Sequence, residues 1–197
     1  MARTTGSNGP KTLEAINKAG LQLIFEHGYE AMSLRQLASE VGIQVGSLYN
    51  HMSTKQDLLF CLLRGHMDDL LERLDQALLG IVDAEAALKA FVAFHVNYHI
   101  ARKREVFICY SELRSLTPDN YEFIVAMRRV YEQRLIAILE RGVADGKFQT
   151  ADAPVAAYGI LAMLTGVCTW FRPKGRLSAQ QVVDQYTTMA VDAVKKV

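Results

Sequence analysis

SLRQLASEVGIQVGSLYNHMSTK, residues 33–55, reads as two short helices joined by a tight turn. Leu34, Leu37 and Ala38 recur at helical spacing, and Ser33 is placed to cap that helix by accepting a bond from a free backbone N–H. Val41-Gly42-Ile43 follows. Glycine takes a left-handed backbone without steric cost, which ends the first helix and redirects the chain. A second helix is expected from about Gln44 to His51, with Leu48 as its single large apolar anchor. Gln44, Ser47, Tyr49, Asn50 and His51 are then left to face outward. A short helix held by one or two anchors, with donors and acceptors on its free face, suits the reading of a DNA major groove. An ordinary helical hairpin with a polar surface is the alternative that this pattern leaves open.

Outward from this stretch, the chain stays helical. Leu13, Ile16, Gly20, Leu23 and Ile24 make one apolar stripe on a helix expected from Thr12 to His27, stopped by Gly28-Tyr29. Ser53 or Thr54 caps a long helix with Asp57 near its positive end; its leucines run to Leu78, and Gly80 should end it. From Asp83 the apolar faces of Leu88, Phe91, Val92, His95 and Val96 follow, up to Ala101. The basic knot Arg102-Lys103-Arg104 separates them from a segment that ends near Leu116, before Thr117-Pro118. A long helix through Ile124, Tyr131, Leu135 and Ile138 should end near Gly142 or Gly146. Asp152 and Pro154 open an apolar helix, and Ser178 caps a last one over 178–196. No strand pattern competes. The expectation is an all-α chain of about nine helices. It comprises a flexible arm (1–11), a three-helix helix-turn-helix head (12–57) and a C-terminal helical body for ligand binding and dimerisation (58–197).

Composition narrows the class. Half of the 197 residues are hydrophobic, so a sizeable core can form, and the formal net charge is +1. The first 60 residues carry five Lys/Arg against five Asp/Glu, so any affinity for nucleic acid must come from local placement rather than bulk charge. Arg3, Lys11 and the terminal amine form a small basic arm, and the polar N-terminus does not read as a signal peptide. Cys61, Cys109 and Cys168 lie in apolar surroundings without metal spacing, which fits reduced core cysteines of a cytoplasmic protein. Ala153 to Phe171 is uncharged and approaches the ~20 residues that span a membrane. It holds Pro154, Gly159 and Gly166, so it is expected to be a buried helix, with no membrane partner.

With the head in view, the chain resembles the TetR (tetracycline repressor) family. The matching residues run from Ile16 to Leu59, about a quarter of the chain, and include Gly28-Tyr29, SLRQLASEVGI at 33–43 and GSLYNHMSTKQDLL at 46–59. Ile24 stands where that family often has Phe, and Asn50 where an aromatic or long polar residue is common. The resemblance implies a homodimeric transcriptional repressor with a variable ligand-binding body, working without a cofactor on a palindromic double-stranded DNA operator. It places Gln44, Val45, Gly46 and Ser47 at the base-facing start of the recognition helix. Gln44 suits an adenine edge, Val45 a thymine methyl, and Gly46 lets the backbone approach closely. Tyr49 and His51 match positions that meet the phosphate backbone, Lys55 faces phosphate from the next helix, and Ser33 and Arg35 are further backbone clamps. Asn50 belongs to the same face. Two-fold symmetry would set two recognition helices about 34 Å apart, the helices over 153–171 and 178–196 forming the interface between copies.

In the body, Phe94, His95, Tyr98, Tyr110, Arg114, Tyr121, Arg128 and Trp170 are the candidate ligand residues, a mostly apolar lining with a few polar contacts. TWFRPKGRLSAQQVVDQY, residues 169–186, is similar to the end of the family branch that senses fatty-acid, steroid or other acyl-CoA thioesters. That resemblance implies a small apolar effector with phosphates for Arg102–Arg104, Arg128 and Arg129 to meet. The spacing of His95 and His99 also suits a metal, yet no third ligand is evident. Two other classes stay open at this point: a helical enzyme using His95 or His99 with Glu112, and an adaptor that keeps the fold but binds a protein.

Overall fold

A computed structural model describes residues 9–196. In chain order the helices are α1 (Gly9–His27), α2 (Leu34–Val41), α3 (Val45–Leu48), α4 (Lys55–Leu78), α5 (Ala84–Ala101), α6 (Lys103–Ser111), α7 (Pro118–Ala144), α8 (Ala153–Thr165), α9 (Val167–Trp170) and α10 (Ala179–Asp192). One 3-10 turn, Leu113–Ser115, precedes α7. Taking α8 and α9, parted only by Gly166, as one element gives the nine helices expected. Among the described residues no strand forms beyond a single antiparallel bridge between Phe148 and Lys195.

The chain divides into two compact units. The first comprises Met1–His66, described from residue 9, and Arg104–Ile124. α1 starts three residues earlier than the periodicity predicts, because Pro10 sits in the first turn, where its missing N–H costs nothing. Arg3 and the terminal amine of the expected arm lie outside the described residues. α1 buries Ile16, Gly20 and Ile24. A β-carbon at Gly20 would stand 2.8 Å from the Leu58 side chain, so glycine is what lets α1 and α4 approach. Gly28, at φ 82°, ends α1. Aromatic pairs carry Arg104–Ile124 into this unit. Phe107 meets Phe25 edge-on at 5.3 Å, Phe123 meets Phe60 at 5.5 Å, and Arg104 and Arg64 lie over Phe25 and Phe123.

The second unit comprises Met67–Lys103 and Val125–Val197. α5 is its centre and packs on α8, α9 and α10. It opens at Asp83, whose carboxylate accepts from the Ala86 N–H at 2.8 Å, and it buries Leu88, Phe91, Val92, His95, Val96 and His99. Tyr131, Leu135 and Leu139 of α7 complete the core. α10 begins with a reciprocal cap between Ser178 and Gln181 and ends at Asp192, four residues short of the expected end. The chain then runs past Phe148, with Gln149 N–H donating to the Val194 carbonyl at 2.7 Å.

Two expectations are corrected. The stretch over 153–171 is not one buried helix: Gly166 interrupts it, and only 22% of Ala153–Trp170 is buried within the chain. Length and composition alone would let it cross a membrane. Nor are all three cysteines in the core. Cys109 is buried and Cys168 half-buried, but Cys61 is exposed because it falls on the outward face of α4.

Candidate nucleic-acid interface

The interface begins with the backbone needs of α2. A helix leaves its first N–H groups without internal partners. Ser33 Oγ accepts from Gln36 N–H at 3.2 Å, and the Gln36 side chain accepts from Ser33 N–H at 2.9 Å. Ser33 is therefore the cap, with its side chain engaged. At the other end Gly42, at φ 75°, closes α2, and Ile43 N–H donates to the Ala38 carbonyl at 2.9 Å. The chain turns directly into α3.

α3 is shorter than expected. It covers Val45–Leu48, and residues 49–51 form a turn. His51 and Met52 N–H both return to the Leu48 carbonyl, at 2.8 and 3.0 Å, so the helix tightens and closes where its one anchor ends. Leu48 is fully buried, while Gln44, Gly46, Tyr49 and Asn50 are exposed and Val45, Ser47 and His51 half-buried. Arg35 is exposed on α2. These residues thus form one polar face over a single leucine. Leu48→Ala is expected to cost about 3 kcal/mol in urea unfolding and to abolish DNA binding, since nothing else anchors α3.

The start of α4 is capped reciprocally. The Asp57 carboxylate accepts from Ser53 and Thr54 N–H at 2.8 and 2.9 Å, and Thr54 Oγ1 accepts from Asp57 N–H at 3.1 Å. Lys55 is half-buried rather than extended into solvent. Its Nζ donates to the Glu30 carbonyl at 3.0 Å and lies 4.3 Å from the centre of the Tyr29 ring. The sequence did not flag Tyr29 and Glu30 as partners of Lys55. They are 26 and 25 residues away, and only the close of α1 brings them there.

The candidate ligand residues of the body are divided between the two units. Phe94 and Tyr98 line a groove of about 490 Å³ on α4 and α5, together with Arg73, Arg102 and the small Ala77, Ala90, Ala93 and Ala101. Asp69 organises the charged end. Tyr98 OH donates to it at 2.9 Å, Arg73 Nε at 2.6 Å, and the Arg102 guanidinium lies at 3.6 Å. Burial alone would raise the Asp69 carboxyl, but the bonds from Arg73 and Tyr98 outweigh it and hold it below its ordinary value. Burial, followed by the Asp69 carboxylate, pushes the Tyr98 phenol well up, so it stays a donor. Arg73 is the member the sequence reading missed; its place one helical turn after Asp69 was the available signal.

His95 is in the core. Its Nδ1 is 2.9 Å from Tyr131 OH and its Nε2 3.3 Å from Thr165 Oγ1. The His99 ring stacks on it at 3.6 Å, and His99 Nδ1 donates to the His95 carbonyl. Burial, then the neighbouring His99, hold His95 well below the usual histidine value. Among the described residues no group of three His, Cys, Asp or Glu is arranged to hold a metal. Tyr110, Arg114 and Tyr121 are exposed and belong to the first unit; Arg128 is half-buried in the second. Trp170 is exposed, edge-on to Tyr186 at 6.2 Å.

Residues 16–61 match the model of bacterial regulatory proteins of the tetR family, and residues 82–194 that of the tetracyclin repressor-like C-terminal domain. The chain is 28% identical over 193 residues to the HTH-type transcriptional repressor KstR2 of Rhodococcus jostii, a match covering 97% of this chain and 94% of that one. It resembles the crystal structure of PfmR, a TetR family transcriptional regulator of Thermus thermophilus, at a TM-score of 0.82 and 30% identity, over 92% of this chain and 99% of the other. It also resembles AibR, solved in complex with isovaleryl coenzyme A and operator DNA, at a TM-score of 0.84 and 27% identity, over 90% and 97% of the two chains. These relatives are transcriptional regulators, not enzymes.

Proposed function

Because the chain belongs to the TetR family of bacterial regulatory proteins, we propose that it is a cytoplasmic homodimeric repressor that holds a palindromic operator through α2 and α3. A small apolar effector, of the acyl-CoA thioester class, releases it. The observation that carries the DNA reading is the exposed polar face of α3 over the buried Leu48. Gln44, Val45, Gly46 and Ser47 read base edges from that face, with Asn50 beside them. Ser33, Arg35, Tyr49, His51 and Lys55 serve the phosphates, Ser33 through the helix it caps. The exposed apolar side chains of α8 and α10 support a second copy, rather than lipid, as the cover for that face. The groove bearing Phe94, Tyr98, Arg73 and Arg102 supports an effector with both apolar and anionic parts, as does the likeness to AibR, solved with an acyl coenzyme A. Effector binding would change the spacing of the two recognition helices and take them out of step with successive major grooves.

Selection of genomic fragments, with and without a panel of acyl-CoA thioesters, tests this. An inverted repeat enriched alone and lost with one thioester is the expected result; no enrichment at low salt refutes the reading. On the selected operator, Lys55→Ala should weaken binding to all sequences and lower the salt slope by about one. Gln44→Ala should instead relax preference at one base pair, at a cost of about 1–3 kcal/mol in discrimination. A change of base preference on Lys55→Ala with an unchanged salt slope would reverse the two roles.

A further inference from the structure

The groove on α4 and α5 joins an apolar stretch to a charged end. Ala77 of α4 and Ala90, Ala93 and Ala101 of α5 are small, which leaves the space open. Phe94 and Tyr98, with ring centres 5.5 Å apart, give it an aromatic side. The charged side chains in the lining are Arg73 and Arg102, both cationic. Asp69 is not part of the lining and meets the groove through the residues that it holds.

Asp69 and Arg73 stand one turn apart on α4, and Tyr98 and Arg102 one turn apart at the end of α5. The Asp69 carboxylate gathers the other three. Its Oδ1 accepts from Arg73 Nε at 2.6 Å, and its Oδ2 accepts from Tyr98 OH at 2.9 Å and lies 3.6 Å from Arg102 Nη2. The cluster is open to solvent: the side chains of Asp69, Arg73 and Arg102 are 32%, 52% and 40% exposed. Arg73 gives Asp69 its Nε and has no other acceptor among the described residues, which leaves its Nη end for a ligand. Burial works against the charge of Asp69, but the bonds from Arg73 and Tyr98 outweigh it and keep the carboxyl ionised at neutral pH.

Two guanidiniums and a phenol are the donor set that a phosphate or carboxylate of a ligand takes. Here a side chain of the protein occupies it. A second anion on the same two guanidiniums would be repelled by Asp69. We infer that Asp69 is a built-in competitor at the charged end of the groove: the anionic group of the effector takes Arg73, Tyr98 and Arg102 in exchange for the Asp69 carboxylate, while its apolar part lies along Phe94 and the alanines. The inference rests on the proposed role of the groove as the effector site. An uncharged molecule of the same shape leaves Asp69 in place and gains nothing from the cations. An anionic one binds more weakly than the bare donors would allow, because it first breaks the tie between α4 and α5.

The test is calorimetric titration of the full-length protein with octanoyl coenzyme A, isovaleryl coenzyme A and octanoate. Arg73→Gln is expected to weaken thioester binding roughly ten-fold. Asp69→Asn, which keeps the shape and removes the charge, is expected to tighten it roughly five-fold. The opposite signs separate an exchange of anions from a loss of packing, which would weaken binding in both variants. In the double variant the gain from Asp69→Asn should disappear, because the competitor and its target are removed together. On the selected operator, Asp69→Asn should need roughly five-fold less thioester for half release. Thermal unfolding checks the fold of each variant, and Asp69→Ala carries the test if Asp69→Asn does not fold. A thioester has no carboxylate, so its dependence on Arg73 assigns the anion to a phosphate of the coenzyme. The same dependence with octanoate, and none with the thioesters, keeps the exchange but overturns the thioester reading in favour of a free acid. Unchanged or weakened binding in Asp69→Asn, while Arg73→Gln binds weakly, overturns the exchange alone. Affinities that neither variant alters place the effector outside the groove and overturn its proposed role, and this inference with it. Binding of no probe by the wild-type protein overturns the thioester reading and the exchange together.

Discussion

Tyr158→Arg is expected to leave the protein folded but monomeric at micromolar concentration, and to weaken operator binding by more than about 100-fold. Val155, Tyr158, Gly159 and Ala162 recur at helical spacing and are all exposed on α8. Val155 is 64% and Tyr158 51% exposed, and Met189 of α10 and Trp170 of α9 add further uncovered apolar surface. Exposed apolar side chains in this number call for a cover, and the proposed second copy would supply it. Because Tyr158 is half outside the fold, its replacement costs little within one chain, within about 0.5 kcal/mol for a surface site. At the proposed interface between copies, however, an unpaired guanidinium would be buried, which costs several kcal/mol. Two heads on one dimer gain about 10²–10⁴ in avidity over a single head, and that gain is lost with the dimer. Light scattering and an operator titration check both halves. A Tyr158→Arg dimer that binds like wild type would move the interface elsewhere.

The second large effect is on acid stability. His95 is fully enclosed, with Tyr131 OH and Thr165 Oγ1 on its two nitrogens and the His99 ring stacked against it. Its folded value lies well below the ordinary 6.5 because burial, and then His99, disfavour the charged form. The unfolded chain therefore takes up a proton near pH 6.5 that the folded chain refuses. Stability is fully present above that value and is lost as pH falls from 6.5 toward the depressed folded value, at about 1.4 kcal/mol per pH unit for this one group. The loss from His95 therefore sets in as pH falls through 6.5 and grows until the depressed folded value is reached. His95→Gln, which can still hydrogen-bond but does not titrate in this range, is expected to be less stable at pH 7 and to show a flatter profile below 6.5. Urea unfolding of both proteins at several pH values checks this, and parallel profiles would remove His95 as the cause.

Most of the architecture was legible because helix starts and stops are written locally. Ser33, Asp83, Asp152 and Ser178 cap the helices they precede, and Gly28, Gly42 and Gly80 take the left-handed backbone that ends them. The length of α3 was not legible, since its end depends on one carbonyl receiving two N–H groups. The polar face of α3 could be read because a single anchor, Leu48, leaves the rest of the helix outside. The candidate ligand residues could not be gathered the same way. Tyr110, Arg114 and Tyr121 are as aromatic and cationic as Phe94 and Tyr98, and only the tertiary fold sends them to different units. The buried place of His95 depends on partners 36 and 70 residues away, a distance over which periodicity says nothing.

The slight division at Gly166 has a meaning for biosynthesis. As a newly made chain, the stretch over 153–170 competes for insertion into lipid on the strength of its apolar residues alone. Gly166 keeps right-handed helical dihedrals, φ −54° and ψ −22°, and its N–H donates to the Ala162 carbonyl at 3.3 Å. The 18 residues as one straight rod would therefore measure ~27 Å, close to the ~30 Å hydrocarbon layer. In the folded chain Ala157, Ile160, Leu164 and Val167 are instead buried, on helices that pack against α5. Because α5 precedes α8 in the chain, that partner is already made when the stretch emerges, and docking on it competes with entry into lipid.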